Sequence, residues 1–313
     1  MKIIDSILNS THFTNYPPVL IDIGASGEIN EKWRSIARYS ICLAFDADDR
    51  EFHQTEETNR EYKKLIIFNR IVTAEPTGNH PFYLTASPFC SSLLQPDTEK
   101  LEPWLFKPLF EITKITTFPT ITLQQSLIQA GITYIDWFKA DTQGTDLRLF
   151  NSLPDLLKAN VLIAEFEPGI LDAYKGEDKL HSVMKEMQNM GFWLSSMKIK
   201  GTQRLHSDYS RKIGPFLSTR ILRTSPGWSE ISYLKEPNFV DHRRLLLLIV
   251  FAMLERQYGF ALEVADAALK HFSDSLFHDC KKAAISKIQS EKRKIPFVIL
   301  KRKINKLFAN IND

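Results

Sequence analysis

The sequence predicts an α/β fold, in which a Rossmann-like, mostly parallel sheet carries helices on both faces. Between about residues 17 and 225, short apolar runs alternate with amphipathic segments, a pattern typical of strands connected by helices. The first run, 19–23, leads into a tight glycine turn, and the second run, 41–45, is followed by an acid. With 313 residues, of which 43% are hydrophobic, the chain can bury one sizeable core.

The apolar runs predict six strands, and the segments between them predict five helices. Gly131 and Gly191 stand where a helix would end before the next strand begins. The predicted strands cover residues 19–23, 41–45, 65–69, 134–139, 161–166 and 192–198. The predicted helices cover residues 31–38, 49–60, 122–130, 145–158 and 178–190.

The regular alternation breaks between Pro76 and Pro119, where five further prolines and many aromatic residues occur. Prolines at this density disfavour another helix and strand unit. We therefore expect an insertion, at about 76–119, that runs over the carboxyl edge of the sheet. Insertions at that edge usually shape a substrate pocket.

The pattern changes again after about residue 238, where 241–257 and 259–272 read as two amphipathic helices. We expect two domains, an α/β domain at 1–237 and a small helical appendage at 238–313. The segment 281–306 holds ten Lys and Arg residues against the single acid Glu291. Basic residues interleaved with aliphatic ones suit a peripheral membrane surface or a partner protein, as well as a solvated terminus.

Composition argues against several classes of protein. The three cysteines, Cys42, Cys90 and Cys280, show no C-x-x-C spacing, which disfavours a disulfide framework or a zinc site. The first ten residues lack the long apolar run of a signal peptide. The longest apolar run, 245–254, is about half of what a spanning helix needs. We expect a cytoplasmic protein without a transmembrane segment.

The charge at the first turn favours one cofactor over another. A dinucleotide site places backbone N–H groups of G-x-G-x-x-G against a pyrophosphate, but here the third glycine is missing and Asp22 opens the turn. Asp22 would repel a pyrophosphate, whereas S-adenosylmethionine brings an ammonium and a sulfonium group and no phosphate. Asp46 is then placed to accept hydrogen bonds from the ribose hydroxyls. The sequence therefore predicts a methyl-donor site.

The predicted cofactor site includes both turns and one later acid. Gly24 and Gly27 would let the backbone approach the methionine portion closely. Ser26 is expected to bind the cofactor, although it can instead cap a helix in a generic strand-turn-helix, and Asp48 can bind the ribose or cap the following helix. The predicted cofactor-binding residues are Asp22, Gly24, Ala25, Ser26, Gly27, Asp46, Ala47, Asp48 and Asp141.

Six segments together resemble the FkbM family of S-adenosylmethionine-dependent methyltransferases, over about residues 17–200. They are, in chain order, 22–27 (DIGASG), 44–48 (AFDAD), 91–93 (SSL), 120–123 (TITL), 135–144 (IDWFKADTQG) and 161–168 (VLIAEFEP). The chain departs from the family pattern at Glu28, where many members have glycine, and at Gln124, where an acid is usual. The resemblance implies a class I methyltransferase fold and methylation of hydroxyls on sugars, glycans or polyketide-like natural products.

Three carboxylates are the catalytic candidates: Asp141, Glu165 and Glu167. Asp141 follows the fourth predicted strand, at the sheet edge where open α/β folds bind ligands, and can orient or deprotonate a hydroxyl nucleophile. It can instead cap the helix that starts near Gly144. Glu165 and Glu167 alternate along a strand and share a face, and a carboxylate pair there is costly unless it is partnered. At least one of them should face the site.

A metal is not predicted. Asp141 with Glu165 or Glu167 can supply the oxygen ligands that Mg²⁺ prefers, but Gln143 is neutral where many relatives carry an acid. His206 and Asp208, in a polar stretch after the sixth predicted strand, are candidate lid residues or solvated loop.

The leading hypothesis is an S-adenosylmethionine-dependent O-methyltransferase acting on a sugar, glycan or natural-product hydroxyl. Aromatic residues of the insertion offer flat apolar faces of the kind on which sugars stack: Phe82, Tyr83, Phe89, Trp104 and Phe106. One alternative is a catalytically inactive binding or partner subunit in glycan assembly. Another is an RNA methyltransferase, which rests on the basic tail alone.

The turn at Gly24 is not G-x-S-x-G, so a serine hydrolase is disfavoured. Asn15-Tyr16-Pro17-Pro18 is faintly similar to the N-P-P-Y motif of adenine amino-methyltransferases, but it precedes the first strand, whereas that motif belongs at the end of the fourth. Nitrogen methylation of DNA is therefore disfavoured.

Overall fold

The computed structural model describes residues 2–24, 30–45, 61–76 and 78–292, except for the side chain of Pro215. The chain divides into two compact units. One unit is Thr11–Glu236, and the other combines Met1–Ser10 with Pro237–Asp313.

The first unit is an α/β domain, as the sequence predicts. Its seven-stranded sheet has the order β3-β2-β1-β7-β8-β10-β9, and a second sheet has the order β4-β6-β5. The first five strands of the larger sheet run parallel, whereas β10 is antiparallel to both of its neighbours. The strands are β1 Val19–Ile23, β2 Ile41–Phe45, β3 Lys64–Phe68, β4 Ile71–Thr73, β5 Asn79–Thr85, β6 Ile112–Thr122, β7 Trp137–Ala140, β8 Ile163–Phe166, β9 Phe192–Gln203 and β10 Thr224–Lys235.

Helices of both units follow in chain order. The helices are α1 Lys2–Leu8, α2 Thr11–Thr14, α3 Thr98–Leu101, α4 Leu123–Ala130, α5 Asp146–Asn151, α6 Asp155–Asn160, α7 Leu180–Asn189, α8 Ser207–Ile213, α9 Pro215–Arg220, α10 His242–Leu254, α11 Tyr258–Leu269 and α12 Ser275–Lys292.

The buried central strands agree best with the sequence prediction. β1 and β2 have the predicted bounds, and every residue of β1 is buried, as expected for a parallel strand covered on both faces. Beneath them, the rings of Phe138, Phe150 and Phe166 lie 5.0 to 5.9 Å apart between centroids. These rings belong to the core that packs α5 and the following loop onto the sheet.

The helix predictions hold in part. α4 and α7 occur as predicted, and Gly131 ends α4 with a left-handed φ of 69°. The predicted helix 145–158 is two helices, α5 and α6, because Pro154 interrupts the helical hydrogen bonds. The predicted helix 31–38 consists of two short 3₁₀ segments. The predicted helix 49–60 lies outside the described residues.

The insertion at 76–119 contains strands that the sequence pattern did not predict. β5 pairs with β6 in antiparallel fashion, and β6 also pairs with β4 in parallel. Six of the eleven residues of β6, Ile112–Thr122, are threonines or lysines, and most of the strand is not buried, so no apolar alternation marks it. A further bridge joins Tyr83 to Ser92 and folds the rest of the insertion back onto β5.

The second unit is helical. α10 is buried along nearly its whole length, and it packs against α1, α11 and α12. The N-terminal helix α1, which the sequence placed with the α/β domain, therefore lies in the helical unit. The sequence predicted α10 and α11 but not α12, whose face toward the core is marked by Phe277, Cys280 and Ala284. Over the part of the chain that the structure describes, no helix is long and apolar enough to cross a membrane.

Candidate functional site

A cavity of about 460 Å³ opens at the carboxyl edge of the large sheet. Four strand ends line it: Ile23 and Gly24 at the end of β1, Phe45 at the end of β2, Asp141 after β7 and Glu167 after β8. Open α/β sheets bind their ligands at this edge. Two of the three predicted catalytic acids, Asp141 and Glu167, are thus brought together in one cavity.

The opposite wall of the cavity is largely aromatic. The rings of Phe106 and Trp228 are parallel, with an interplanar angle of 7° and centroids 6.1 Å apart. Phe110 stands edge-on to Phe106 at 4.9 Å and to Tyr174 at 5.5 Å. The insertion supplies most of this wall, as the sequence predicts. Of the five aromatic residues proposed for stacking, three line the cavity: Phe82, Phe89 and Phe106.

The carboxyls of Asp141 and Glu167 lie next to each other inside the cavity. Burial, and then the charge of Asp141, raise the pKa of Glu167 well above its usual range. Trp228 lines the same cavity. Two adjacent carboxyls in a partly dry site disfavour the double-charged state, and the raised pKa of Glu167 favours its neutral form.

A third carboxyl, Asp146, supports this pair from below and was not anticipated from the sequence. Its Oδ1 accepts from the backbone N–H of Thr142 at 2.8 Å and from the Thr142 hydroxyl at 2.6 Å. Its Oδ2 accepts from the backbone N–H of Glu167 at 2.8 Å. Asp146 therefore connects the loop after β7 to the end of β8. Burial, and then the nearby Asp141 charge, raise the pKa of Asp146 to about 7.

Asp141 itself caps no helix: α5 begins five residues later, at Asp146. Instead, Gln143 holds the Asp141 side chain, because its amide Nε2 donates to Asp141 Oδ1 at 2.8 Å. Gln143 has a left-handed φ of 57°, which turns its carbonyl toward the Ser92 hydroxyl at 2.8 Å. The hydroxyl of Tyr174 lies 3.3 Å from the Gln143 Oε1. A neutral amide at position 143 is thus an anchor for Asp141 rather than a missing metal ligand.

Gly24 is required by packing within the protein. Its φ is 80°, and a Cβ at this position would lie 2.0 Å from the backbone carbonyl oxygen of Asp141. The sequence reasoning attributed this glycine to close approach of a ligand. The structure gives a second reason, since the ends of β1 and β7 meet here and exclude any side chain.

A row of charged residues lies beneath the cavity, one pleat further into the sheet. Asp22, Lys139 and Glu165 face each other across β1, β7 and β8, two residues before Gly24, Asp141 and Glu167. Lys139 Nζ lies 2.5 Å from Asp22 Oδ1. Burial alone would lower the pKa of Lys139, but the Asp22, Asp141 and Glu165 carboxylates outweigh burial and raise it.

Two predicted site residues belong to this lower row and do not line the cavity. Asp22 was expected to face the cation of a methyl donor, but it is fully buried and also accepts from the backbone N–H of Asn30 at 3.0 Å. Glu165 was expected to be catalytic. Its carboxylate instead accepts from Lys32 at 2.7 Å and from the Trp137 indole at 2.8 Å, so these partners satisfy its charge away from the cavity.

Several other predicted residues fall elsewhere. Six cofactor-site candidates lie outside the described residues: Ala25, Ser26, Gly27, Asp46, Ala47 and Asp48. His206 caps α8 and lies 2.6 Å from Glu102 Oε1, and neither His206 nor Asp208 lines the cavity. Within the described ranges, no group of three His, Cys, Asp or Glu residues is arranged to hold a metal ion.

The charge of the cavity suits a cationic ligand. Its described lining contains three carboxyls, Asp141, Glu167 and Glu177, and one cation, Arg70. Burial raises the pKa of Glu177, which also accepts from the Ala173 N–H at 2.8 Å. A pyrophosphate would meet more negative than positive groups here, whereas a sulfonium or ammonium group would be attracted.

Comparisons with protein-family models and with curated proteins return no match to this chain. Its function therefore rests on the geometry of the site.

The sequence held signals for the two residues that were missed. Asp146 is a second acid five positions after Asp141, in a segment that reads as an ordinary helix start. Lys139 is a lysine in the middle of a buried strand, a position that demands a buried counter-charge. Only strand pairing shows that Asp22, 117 residues away, supplies it.

Proposed function

We propose that the chain is an S-adenosylmethionine-dependent methyltransferase that transfers the methyl group to a hydroxyl oxygen. The observation that carries this proposal is the Asp141–Glu167 carboxyl pair, set at the carboxyl edge of the sheet in a cavity with excess negative charge. The resemblance to the FkbM family, which includes the segments that contain both acids, supports it.

The strand order also supports the proposal. Dinucleotide-binding folds have the order 3-2-1-4-5-6. Here the antiparallel β10 is inserted between the parallel-running β8 and β9. A reversed strand at that place, next to the last strand of the sheet, is typical of class I methyltransferases.

The residues that line the cavity fit S-adenosylmethionine as the cofactor. When bound, S-adenosylmethionine supplies a methyl group made electrophilic by its positively charged sulfur. The carboxyls of the cavity offer that charge a favourable environment. Phe45, the last residue of β2, offers an apolar ring to the cavity one position before Asp46, the residue that the sequence assigns to the ribose.

The residues of the chain then divide the work of proton transfer. Asp141 accepts the proton of the acceptor hydroxyl, and Gln143 orients the Asp141 carboxylate through its amide. Lys139 lies below Asp141 and stabilises its negative charge. Glu167, kept neutral by burial, can donate a hydrogen bond to Asp141 or to the acceptor oxygen. Asp146 is a positioning residue that fixes both backbones.

The aromatic wall faces the space left for the acceptor. Phe106 and Trp228 present parallel rings beside the carboxyl pair, and sugar rings or planar natural products stack on such faces. An acceptor hydroxyl on a sugar, glycan or natural-product intermediate fits this arrangement.

Calorimetric titration with S-adenosylhomocysteine tests the donor site. We expect the wild-type chain to bind one equivalent with a dissociation constant on the order of micromolar. Asp46→Ala should weaken binding by roughly tenfold or more, because it removes a ribose acceptor. Asp155→Ala is the matched control, since the Asp155 side chain is 99% exposed on α6. A folded wild-type chain that binds no S-adenosylhomocysteine contradicts the proposal.

Methyl transfer from labelled S-adenosylmethionine to a panel of sugars and phenols tests the acid pair. At saturating donor, Asp141→Asn should lower transfer by roughly 10²–10⁴-fold, the contribution of a general base. Asp155→Asn should leave transfer unchanged. Donor binding without transfer to any glycan, sugar or natural-product hydroxyl would favour the inactive-subunit alternative.

A further inference from the structure

The connection between β9 and β10 exposes an unusual number of large apolar side chains. Within residues 209–222, six such side chains are exposed, and Phe216 and Ile221 keep 70% and 72% of their surface in solvent. The six are Tyr209, Ile213, Phe216, Leu217, Ile221 and Leu222. Single exposed apolar residues are ordinary, but a cluster of this kind marks an interaction surface.

The internal packing of this connection explains the exposure. α8 and α9 face each other through two serines, Ser210 and Ser218, which are both buried and whose hydroxyl oxygens lie 2.8 Å apart. These two serines thus lie inside the helix pair, and the six large apolar side chains lie outside. This is the reverse of the usual arrangement of surface helices, which bury the apolar stripe.

Basic residues surround the exposed apolar ones. Residues 204–223 contain five Lys and Arg residues and one acid, Asp208, which pairs with Arg211. The Arg220 guanidinium lies 5.6 Å from the Phe216 ring centroid, and the Lys212 ammonium lies 5.5 Å from that of Tyr209. An apolar tip with a cation at its side is the arrangement that lets a side chain enter a bilayer while its charge meets the headgroups.

This surface is attached to the wall of the cavity. The Leu105 N–H, next to Phe106, donates to the Gln203 carbonyl at 3.1 Å, where β9 ends and the connection begins. Arg204 lies over the Trp104 ring at 5.3 Å, and His206 contacts Glu102 at 2.6 Å. The exposed helices therefore stand beside the insertion that forms the aromatic wall.

We propose that the α8–α9 surface, residues 204–223, docks on an anionic lipid bilayer. Aliphatic side chains such as Ile213, Leu217 and Ile221 are stabilised by burial in the hydrocarbon of a bilayer, but they supply no hydrogen bonds or charge to a nucleic acid. The excess of basic charge complements acidic headgroups. The proposal concerns binding to a membrane surface and does not depend on methyl transfer. It places the mouth of the cavity next to the lipid.

Co-sedimentation of the full chain with lipid vesicles tests this surface. Two vesicle types are compared, pure phosphatidylcholine and phosphatidylcholine with about one third phosphatidylglycerol. We expect binding to the anionic vesicles, weaker binding as salt rises, and little binding to the neutral ones.

Two independent variants remove the two parts of the surface. Phe216→Ser with Ile221→Ser should lower partitioning by roughly tenfold or more, because two apolar side chains leave the bilayer. Arg220→Glu with Arg223→Glu should lower partitioning to anionic vesicles by roughly tenfold or more. All four positions are exposed, so both variants should melt at the wild-type temperature.

Matched controls use exposed residues elsewhere in the α/β unit. Ile128→Ser with Leu156→Ser changes apolar side chains exposed by 72% and 77%, and Lys185→Glu changes an exposed charge on α7. These variants should bind vesicles within about twofold of the wild type.

Three results would overturn the proposal: no binding of the wild type to anionic vesicles, vesicle binding that both surface variants retain, or self-association of the wild type that the Phe216 variant abolishes without any vesicle binding. The second result would move lipid binding to another part of the chain, such as the basic tail. The third would assign the surface to a second copy of the chain.

Discussion

Asp146 illustrates how one buried carboxyl can hold a site together without entering it. Three donors from Thr142 and Glu167 converge on its two oxygens, and these donors belong to the two loops that carry Asp141 and Glu167. Among the residues that the structure describes, no cation forms an ion pair with Asp146, and burial, followed by the Asp141 charge, raises its pKa to about 7. The residue therefore combines a structural role with a measurable pH dependence.

We predict that Asp146→Asn flattens the pH dependence of the unfolding free energy between about pH 4 and pH 7. The carboxyl has a folded-state pKa of about 7 against an ordinary value of 3.8, so in this window the folded state holds a proton that the unfolded state has lost. Stability from this group is full at pH 4, falls as pH rises, and levels off above pH 7. One such proton contributes a slope of up to about 1.4 kcal/mol per pH unit.

Urea denaturation at several pH values measures this slope. Asp155→Asn serves as the control, because its side chain is almost fully exposed and should leave the wild-type slope intact. A wild-type slope in Asp146→Asn would mean that Asp146 ionises in the folded protein as it does in the unfolded chain.

The sequence predicts the positions of some residues of the site but not of others. Asp141 and Glu167 could be placed correctly because each follows a buried strand, and parallel strands end at one edge. The sequence also placed Asp22 and Glu165 in the site. Residues two positions apart in a strand share a face but not a depth, and only the pairing of β1, β7 and β8 reveals that these two lie one pleat lower.

Among the elements, the central strands of the α/β unit carry the row Asp22–Lys139–Glu165 under the cavity. Asp22 is fully buried, and its charge is met by Lys139 and by the Asn30 N–H. A buried ion pair contributes little net stability over an apolar pair, but loss of one partner leaves an uncompensated charge.

We predict that Lys139→Met lowers the free energy of unfolding by about 3–5 kcal/mol. Adding Asp22→Asn in the same chain should restore most of the loss, because the uncompensated charge disappears. Lys158→Met is the control, since Lys158 pairs with the exposed Asp155 and should cost less than about 1 kcal/mol. Urea denaturation of the wild type, Lys139→Met, Asp22→Asn and the double variant measures the coupling.

The row would not be a coupled unit if Lys139→Met cost no more than Lys158→Met. The same conclusion would follow if the double variant were as unstable as the sum of its single changes.

The sequence predicts the strands whose residues are continuously buried, and it misses the strands that form only through pairing with distant segments. β1 and β2 are continuous apolar runs, and their bounds were predicted. β6 and β10 were missed, because β6 is rich in exposed threonine and β10 contains Pro226 and Gly227 at a register shift against β9. Such strands are stabilised by partners distant in sequence, and their own composition resembles that of loops.

For the whole molecule, the sequence predicted an α/β unit followed by helices, and the structure contains both. The boundary near residue 237 agrees with the division after Glu236. The N-terminal helix was assigned to the wrong unit. Its seven residues carry no motif, and its place beside α10 and α12 depends on contacts more than 200 residues apart in sequence.

The central claim is that the cavity between β1, β7 and the insertion binds a methyl donor next to Asp141 and Glu167. The indole N–H of Trp228, which lines the same cavity as Asp141 and Glu167, is a reporter at that position. The chain has five tryptophans, so ¹⁵N-indole NMR spectra are simple, and Trp228→Phe assigns the signal.

The decisive measurement is therefore the Trp228 indole resonance during titration with S-adenosylmethionine. We predict that it shifts with saturation, while that of Trp193, at the start of β9 and outside the cavity lining, stays in place. NAD at the same concentration should leave both resonances unchanged. An unchanged Trp228 resonance at saturating S-adenosylmethionine, or an equal response to NAD, would contradict a methyl-donor site in this cavity.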